Sequence, residues 1–101
     1  MVCLALMTTQ FTWDPTKAAS NLRKHGVSFE EALAVFGDPL ARIHDDPHHS
    51  ARESREIIVG HSTGGRLLLV SFTERSGVIR LISARRATRH ERKDYEQATR
   101  F

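Results

Sequence analysis

Residues 56–83, EIIVGHSTGGRLLLVSFTERSGVIRLIS, decide the fold. Ile57, Ile58 and Val59 form a short β-branched run, and Thr63-Gly64-Gly65 supplies a turn. A long apolar run over 66–73 follows, Ser76-Gly77 turns the chain again, and 78–83 returns to strand composition. Short β-branched runs separated by glycine turns predict strands joined as hairpins, an antiparallel meander.

Working outward, the periodicity becomes helical on both sides. Upstream, Phe11 and Trp13 alternate as a first strand, and Asp14-Pro15 then opens a helix. The carboxylate can accept from first-turn amides, and proline costs nothing at the first helical position. Ala18, Ala19 and Leu22 supply its apolar face to about His25, where Gly26 offers a left-handed cap. Ser28 and Glu31 have capping-box spacing, and Phe29, Ala32, Leu33 and Phe36 predict a second helix of about two and a half turns. Asp38-Pro39 breaks it, a strand is read over 40–44, and 45–50 is a polar loop. Downstream, Thr88 and Glu91 form another capping box, with Tyr95 and Ala98 on one side of a C-terminal helix. The expected fold is α+β: a mainly antiparallel sheet with two N-terminal helices and one C-terminal helix.

The 101 residues suit one small domain, read as 11–101, with 1–10 as a disordered N-terminal extension and Met7 as a second translational start. The opening MVCLALM lacks a basic flank and is far shorter than a membrane span, so neither export nor a membrane anchor is expected. The lone Cys3 excludes an internal disulfide and fits a reducing cytoplasm.

Charge is divided unevenly. Residues 1–50 hold four basic and six acidic side chains, whereas 51–101 hold eleven and six, within a formal net charge of +3. The basic half favours a polyanion partner, because neutralising phosphates releases condensed counterions. His44, His48 and His49 with Asp45 and Asp46 are the nearest approach to a metal cluster, but they lack ligand spacing, and no metal or other cofactor is expected. Gly64-Gly65 leads into a strand rather than a helix, which argues against a phosphate-binding loop. Arginines are more informative. Arg80, Arg85, Arg86, Arg89, Arg92 and Lys93 stand against Glu91 alone between positions 80 and 93. Arg66 and Arg80 are read as neighbours on adjacent strands, and Arg85, Arg89 and Arg92 as one helical face. Such a cluster can hold phosphate, or it can pair with Glu56, Glu74, Glu91 and Glu96 on solvated faces.

Several motifs in one order then meet a known family. Phe11-x-Trp13-Asp14-x-x-Lys17, Asn21-x-x-Lys24-His25-Gly26-Val27-Ser28-Phe29-Glu30-Glu31-Ala32, Gly60-x-Ser62-x-x-Gly65-Arg66-Leu67-Leu68-x-Val70 and Arg80-x-Ile82-Ser83-Ala84-Arg85-Arg86-Ala87-Thr88-x-x-Glu91-Arg92-x-x-Tyr95-Glu96 resemble the BrnT toxins over about residues 11–96. The resemblance implies a RelE-like fold and a type II toxin that cleaves RNA and arrests translation. It also implies a BrnA-type antitoxin that covers the toxin and carries it to operator DNA. For metal-independent cleavage by attack of the 2′-hydroxyl, His25 is the first acid/base candidate and Tyr95 the alternative. Arg66, Arg80, Arg85 and Arg86 would stabilise phosphate, and Lys24, Arg89, Arg92 and Lys93 would bind RNA. The competing reading is a nucleic-acid-binding or regulatory module without catalysis.

Overall fold

A computed structural model describes residues 9–46 and 54–98. The chain runs β1 (Gln10–Thr12), α1 (Pro15–His25), α2 (Phe29–Leu33), a 3-10 turn (Ala34–Gly37), β2 (Arg42–Asp45), β3 (Arg55–His61), β4 (Leu67–Arg75), β5 (Val78–Arg86) and α3 (Arg89–Ala98). The five strands form one sheet in the order β1-β5-β4-β3-β2.

The sheet is mixed rather than mainly antiparallel. The β2–β3–β4–β5 meander is antiparallel as expected, but β1 lies parallel to β5, with Gln10 opposite Val78 and Thr12 opposite Arg80. Two elements far apart in the chain make that pairing, so local alternation carries no trace of its direction. Of the stretch expected to be an extension, residues 1–8 lie outside the described residues, while Gln10 already belongs to β1. In the expected loop Asp45 closes β2 and Asp46 is buried, while His48 and His49 lie outside the described residues.

Local chemistry sets the helix ends. Asp14 Oδ1 accepts from the Thr16 amide at 2.8 Å with Pro15 at the first position, and Gly26 caps α1 at φ 70° while donating to the Leu22 carbonyl. Ser28 Oγ accepts from the Glu31 amide at 3.0 Å. The second helix is only Phe29–Leu33 before the 3-10 turn takes over, shorter than its apolar pattern suggests. Asp38 precedes Pro39, which disfavours helical backbone, and its amide closes a tight bond to the Val35 carbonyl at 3.1 Å. At α3 the capping box is reciprocal: Thr88 donates its amide to Glu91 Oε1 at 2.9 Å, and the Glu91 amide donates to Thr88 Oγ1 at 3.1 Å.

α1 and α2 cover one face of the sheet. Val27, Phe29, Ala32 and Val35 are buried there against Ile58, Leu68, Val70, Phe72, Leu81 and Ala84. Edge-to-face rings link Phe11 to Phe36 and Phe36 to Phe72, each at 5.1 Å, which ties the short β1 strand into this layer. The opposite face is covered at one end by α3, whose Tyr95 packs on Val59 and Leu67 beside Ile57, Leu69 and Ala87.

Asn21 joins the layers. Its Nδ2 donates to the carbonyls of Val27 (2.9 Å) and Ala84 (2.8 Å), and its Oδ1 accepts from the Ala84 amide at 3.0 Å. One buried amide therefore pairs with both backbone groups of Ala84, as a neighbouring strand would, and fastens the end of α1 to β5.

Candidate functional site

Strand alternation divides the anticipated site between two places. Leu81 and Ala84 of β5 point to the helix-covered core, so Arg80 and Arg85 emerge on the α3 side, whereas Arg86, opposite Leu68, lies on the side of α1 and α2. Adjacent Arg85 and Arg86 thus serve different faces. Arg85 belongs to β5 and α3 begins only at Arg89, so Arg85, Arg89 and Arg92 do not share one helical face. Arg66 and Arg80 are not neighbours either: Arg80 pairs with Thr73 near the Ser76-Gly77 turn, while Arg66 stands before β4 at the other end of the hairpin.

The first place is a rim formed by the end of α1, the start of α2 and the β3–β4 turn. Arg66 grips Glu31 in a two-pronged pair: Nε donates to Oε2 at 2.9 Å and Nη2 contacts Oε1, while Nη2 also donates to the Gly26 carbonyl at 3.0 Å. Ser62 Oγ donates to Glu31 Oε2 at 2.9 Å. The Arg66 hydrogen bonds, against the opposing effect of burial, lower the Glu31 carboxyl below its ordinary range, with Ser62 and the nearby Arg86 charge assisting. The same pair raises Arg66. His25 is exposed beside this rim and, with Lys24, Asn21, Ile82 and Ser83, borders a small cleft of about 170 Å³.

The second place is the sheet face beside α3. Cross-strand register puts Arg42 opposite Val59, His44 opposite Ile57, Arg55 opposite Thr73, and Thr73 opposite Arg80. Arg42, His44 and Arg85 border a cleft of about 520 Å³ with an apolar floor of Ile57, Val59, Leu69 and Tyr95. Arg85 is held by Glu91 through two parallel bonds of 2.8 Å, a fork-on-fork geometry that fixes the guanidinium plane. Those bonds, with burial opposing and the Thr88 amide assisting, lower Glu91 to about 2, and they raise Arg85. Tyr95 is buried and its hydroxyl donates to the Leu40 carbonyl at 3.2 Å; burial, then the nearby Asp38 carboxylate, raises its pKa. Arg89 and Lys93 are exposed on α3 and Arg92 is half-buried there.

Sequence reasoning missed Arg42 and Arg55, whose place on this face follows only from strand register. It also missed Asp38 and His61. Asp38 Oδ2 accepts the His61 amide at 2.7 Å and stands 3.7 Å from His61 Nδ1, and the His61 ring meets Tyr95 edge-on at 5.6 Å. A carboxylate and an imidazole more than twenty positions apart give no local signal. Among the described residues no three His, Cys, Asp or Glu side chains gather in a metal-binding group, and no helix is long and apolar enough to cross a membrane.

Comparison with known proteins bears on the fold and the family. The crystal structure of the Brucella abortus ribonuclease toxin BrnT superposes with a TM-score of 0.60 at 24% identity, covering 80% of this chain and 99% of that one, which establishes a shared fold. No curated protein matches the chain. The family model described as the ribonuclease toxin BrnT of type II toxin–antitoxin systems matches residues 13–91. Because that match spans most of the chain and every element from α1 to β5, the chain belongs to the BrnT family of type II ribonuclease toxins.

Proposed function

We propose that the chain is a metal-independent endoribonuclease of RelE-like type that cleaves RNA in the cytoplasm and arrests translation. A BrnA-type antitoxin neutralises it and carries it to operator DNA. The observation that carries this reading is the sheet face beside α3, where Arg42 and Arg85, interspersed with Asp46, Glu91 and Asp94, border a cleft with an apolar floor, and where strand register puts Arg55 and Arg80 on the same face. Guanidinium groups suit phosphate, and an apolar floor with Tyr95 suits an unstacked base, the combination that single-stranded RNA presents.

On this reading RNA crosses the face with a phosphate near Arg85, which Glu91 holds in position, and with Arg80 engaging the chain further along β5. Lys24 and Arg86 on the rim, and Arg89, Arg92 and Lys93 on α3, extend the basic track. Arg66 holds the rim together through Glu31 and contributes positive charge there. Cleavage by 2′-hydroxyl attack needs charge stabilisation of the phosphorane, for which the arginines are suited, and a base; His25, the candidate from the sequence, stands at the rim rather than beside Arg85. Tyr95 borders the cleft as a base-stacking and proton-donating group.

The test is induction of the chain alone and together with its genomic neighbour. Growth arrest with RNA degradation, relieved by co-expression of the neighbour, is the expected result. Harmless expression with intact RNA would favour the binding module instead. If R85A and R86A each left cleavage unchanged, the role given to the arginines would be wrong.

A further inference from the structure

Asp38 and His61 stand in turn beside Tyr95, which borders the α3-side cleft. Asp38 follows the 3-10 turn and approaches β3 so closely that a Cβ on Gly60 would stand 3.0 Å from Asp38 Oδ2 and 3.0 Å from the Ala41 Cβ. Its Oδ1 accepts the Leu40 amide at 2.9 Å and its Oδ2 the His61 amide at 2.7 Å, so two backbone donors fix the carboxylate. Burial opposes its ionisation, yet those two amides and the His61 side chain hold the Asp38 carboxyl below its ordinary range. Its side chain is 12% exposed, whereas that of His61 is 44% exposed. Tyr95 packs its ring against the imidazole and commits its own hydroxyl to the Leu40 carbonyl.

A fixed anion beside Nδ1 and an aromatic wall together orient the half-exposed imidazole, so that it can serve as a positioned proton donor. We infer that His61 is the proton donor to the leaving oxygen in RNA cleavage and that Asp38 is its positioning residue. The inference rests on the ribonuclease reading above and gives the acid role to His61 in place of Tyr95, whose hydroxyl donates to the Leu40 carbonyl. The charged or titratable groups around the imidazole are Asp38 from the segment after the 3-10 turn and Tyr95 from α3, with Arg42 of β2 acting on Tyr95 from the far side of the cleft.

The 2′-oxygen forms its bond to phosphorus and gives its proton to water. The bond from phosphorus to the 5′-oxygen breaks, and the proton on His61 Nε2 passes to that oxygen. The products are a 2′,3′-cyclic phosphate, a 5′-hydroxyl and a neutral imidazole that water reprotonates.

The experiment compares the purified wild-type chain with H61Q and D38N on two single-stranded RNAs, one normal and one carrying a bridging 5′-sulfur at the scissile linkage. A thiolate leaves without a proton donor, so only a missing acid is rescued by the sulfur. H61Q should cleave normal RNA about 10²-fold more slowly or worse, lose the alkaline limb of the wild-type pH–rate profile, and cleave the sulfur linkage within a few-fold of wild type. D38N should slow cleavage of normal RNA while still cleaving the sulfur linkage within a few-fold of wild type, because the imidazole is no longer held in place. Because Asp38 also holds two backbone amides, H61Q decides the matter if D38N fails to fold. Equal activity of H61Q and wild type on normal RNA, or an equal deficit on both linkages, overturns the assignment of His61 alone. A wild-type chain that cleaves neither RNA overturns the ribonuclease reading and this assignment with it.

Discussion

Replacing Asn21 with alanine removes a side chain that joins α1, the turn into α2 and β5. The Ala84 amide, the Ala84 carbonyl and the Val27 carbonyl would each lose a partner now at 2.8–3.0 Å. An orphaned buried polar group costs about 1–3 kcal/mol. The site borders a cleft of about 170 Å³ through which water can reach part of it, so the expected loss is about 2–4 kcal/mol rather than the full sum. For a domain of this size that lowers the melting temperature by roughly 10–25 °C. Urea denaturation followed by far-UV circular dichroism measures it. N21D makes the sharper test because it keeps shape and volume. The carboxylate satisfies the Ala84 amide but turns an oxygen toward two carbonyls, so at neutral pH it should destabilise more than N21A. Burial and those carbonyls raise the introduced carboxyl above its unfolded value of about 3.9. A group whose folded pKa is raised binds more protons folded than unfolded, so the N21D penalty should be least below about pH 4 and grow as pH rises through the raised folded value. A loss below about 1 kcal/mol for N21A, or an N21D penalty that shrinks with rising pH, would refute the role assigned to this amide.

Other consequences are equally direct. Glu91, lowered from 4.5 to about 2, stabilises the fold above pH 4.5, and that contribution disappears as pH falls toward 2. The difference corresponds to about 3 kcal/mol, which screening of a side chain 30% exposed reduces to about 1–2 kcal/mol, so the advantage of wild type over E91Q in urea should vanish across that window. G60A places a Cβ 3.0 Å from Asp38 Oδ2 and 3.1 Å from Val35 Cγ1, and calorimetry should find it destabilised by about 1–3 kcal/mol. R80A and R85A should each slow RNA cleavage by roughly 10²-fold or more while retaining the wild-type circular dichroism spectrum, and each should flatten the salt dependence of RNA binding.

What the sequence disclosed was local. Asp14-Pro15, Gly26, Ser28 and the Thr88–Glu91 box act within one helical turn, and each occupies its expected place. Ser76-Gly77 likewise forms the two-residue hairpin loop, with φ 53° and 82° at the two positions where such a turn reverses handedness. What remained hidden depends on register. The β4–β5 ladder slips between Ser71 and Phe72, pairing Ser71 with Ser83 but Phe72 with Leu81, so a strict two-residue count along β5 misplaces side chains beyond Ile82. The division of Arg85 from Arg86, the distance of Arg66 from Arg80 and the recruitment of Arg42 and Arg55 all follow from strand pairing. No window of the sequence contains that pairing. Asn21 hid for a different reason: an asparagine in mid-helix reads as an ordinary polar residue until its partners on β5 and after Gly26 are known.

The two capping-box glutamates connect the scaffold to the candidate chemistry. Each stands three residues into its helix, where the box requires a carboxylate, and each holds an arginine from a different segment. Glu91 does both tasks at once, accepting the Thr88 amide while binding Arg85 of β5. Glu31 does not reach back to its own cap; it turns instead to Ser62 and Arg66, so the second half of that box has been exchanged for a link between α2 and the β3–β4 turn. An arginine tethered in this way loses side-chain freedom on folding rather than on binding, so less ordering entropy remains to oppose RNA association. The tether also spends part of the guanidinium charge on a carboxylate, so the arginine acts as a positioned donor rather than a free cation. Removing Glu91 should therefore separate the two effects. E91Q ought to strengthen non-specific RNA binding, because a negative charge leaves the face, while slowing cleavage, because Arg85 is no longer held in one plane. If binding and cleavage instead rise together, orientation of Arg85 contributes nothing and only its charge matters.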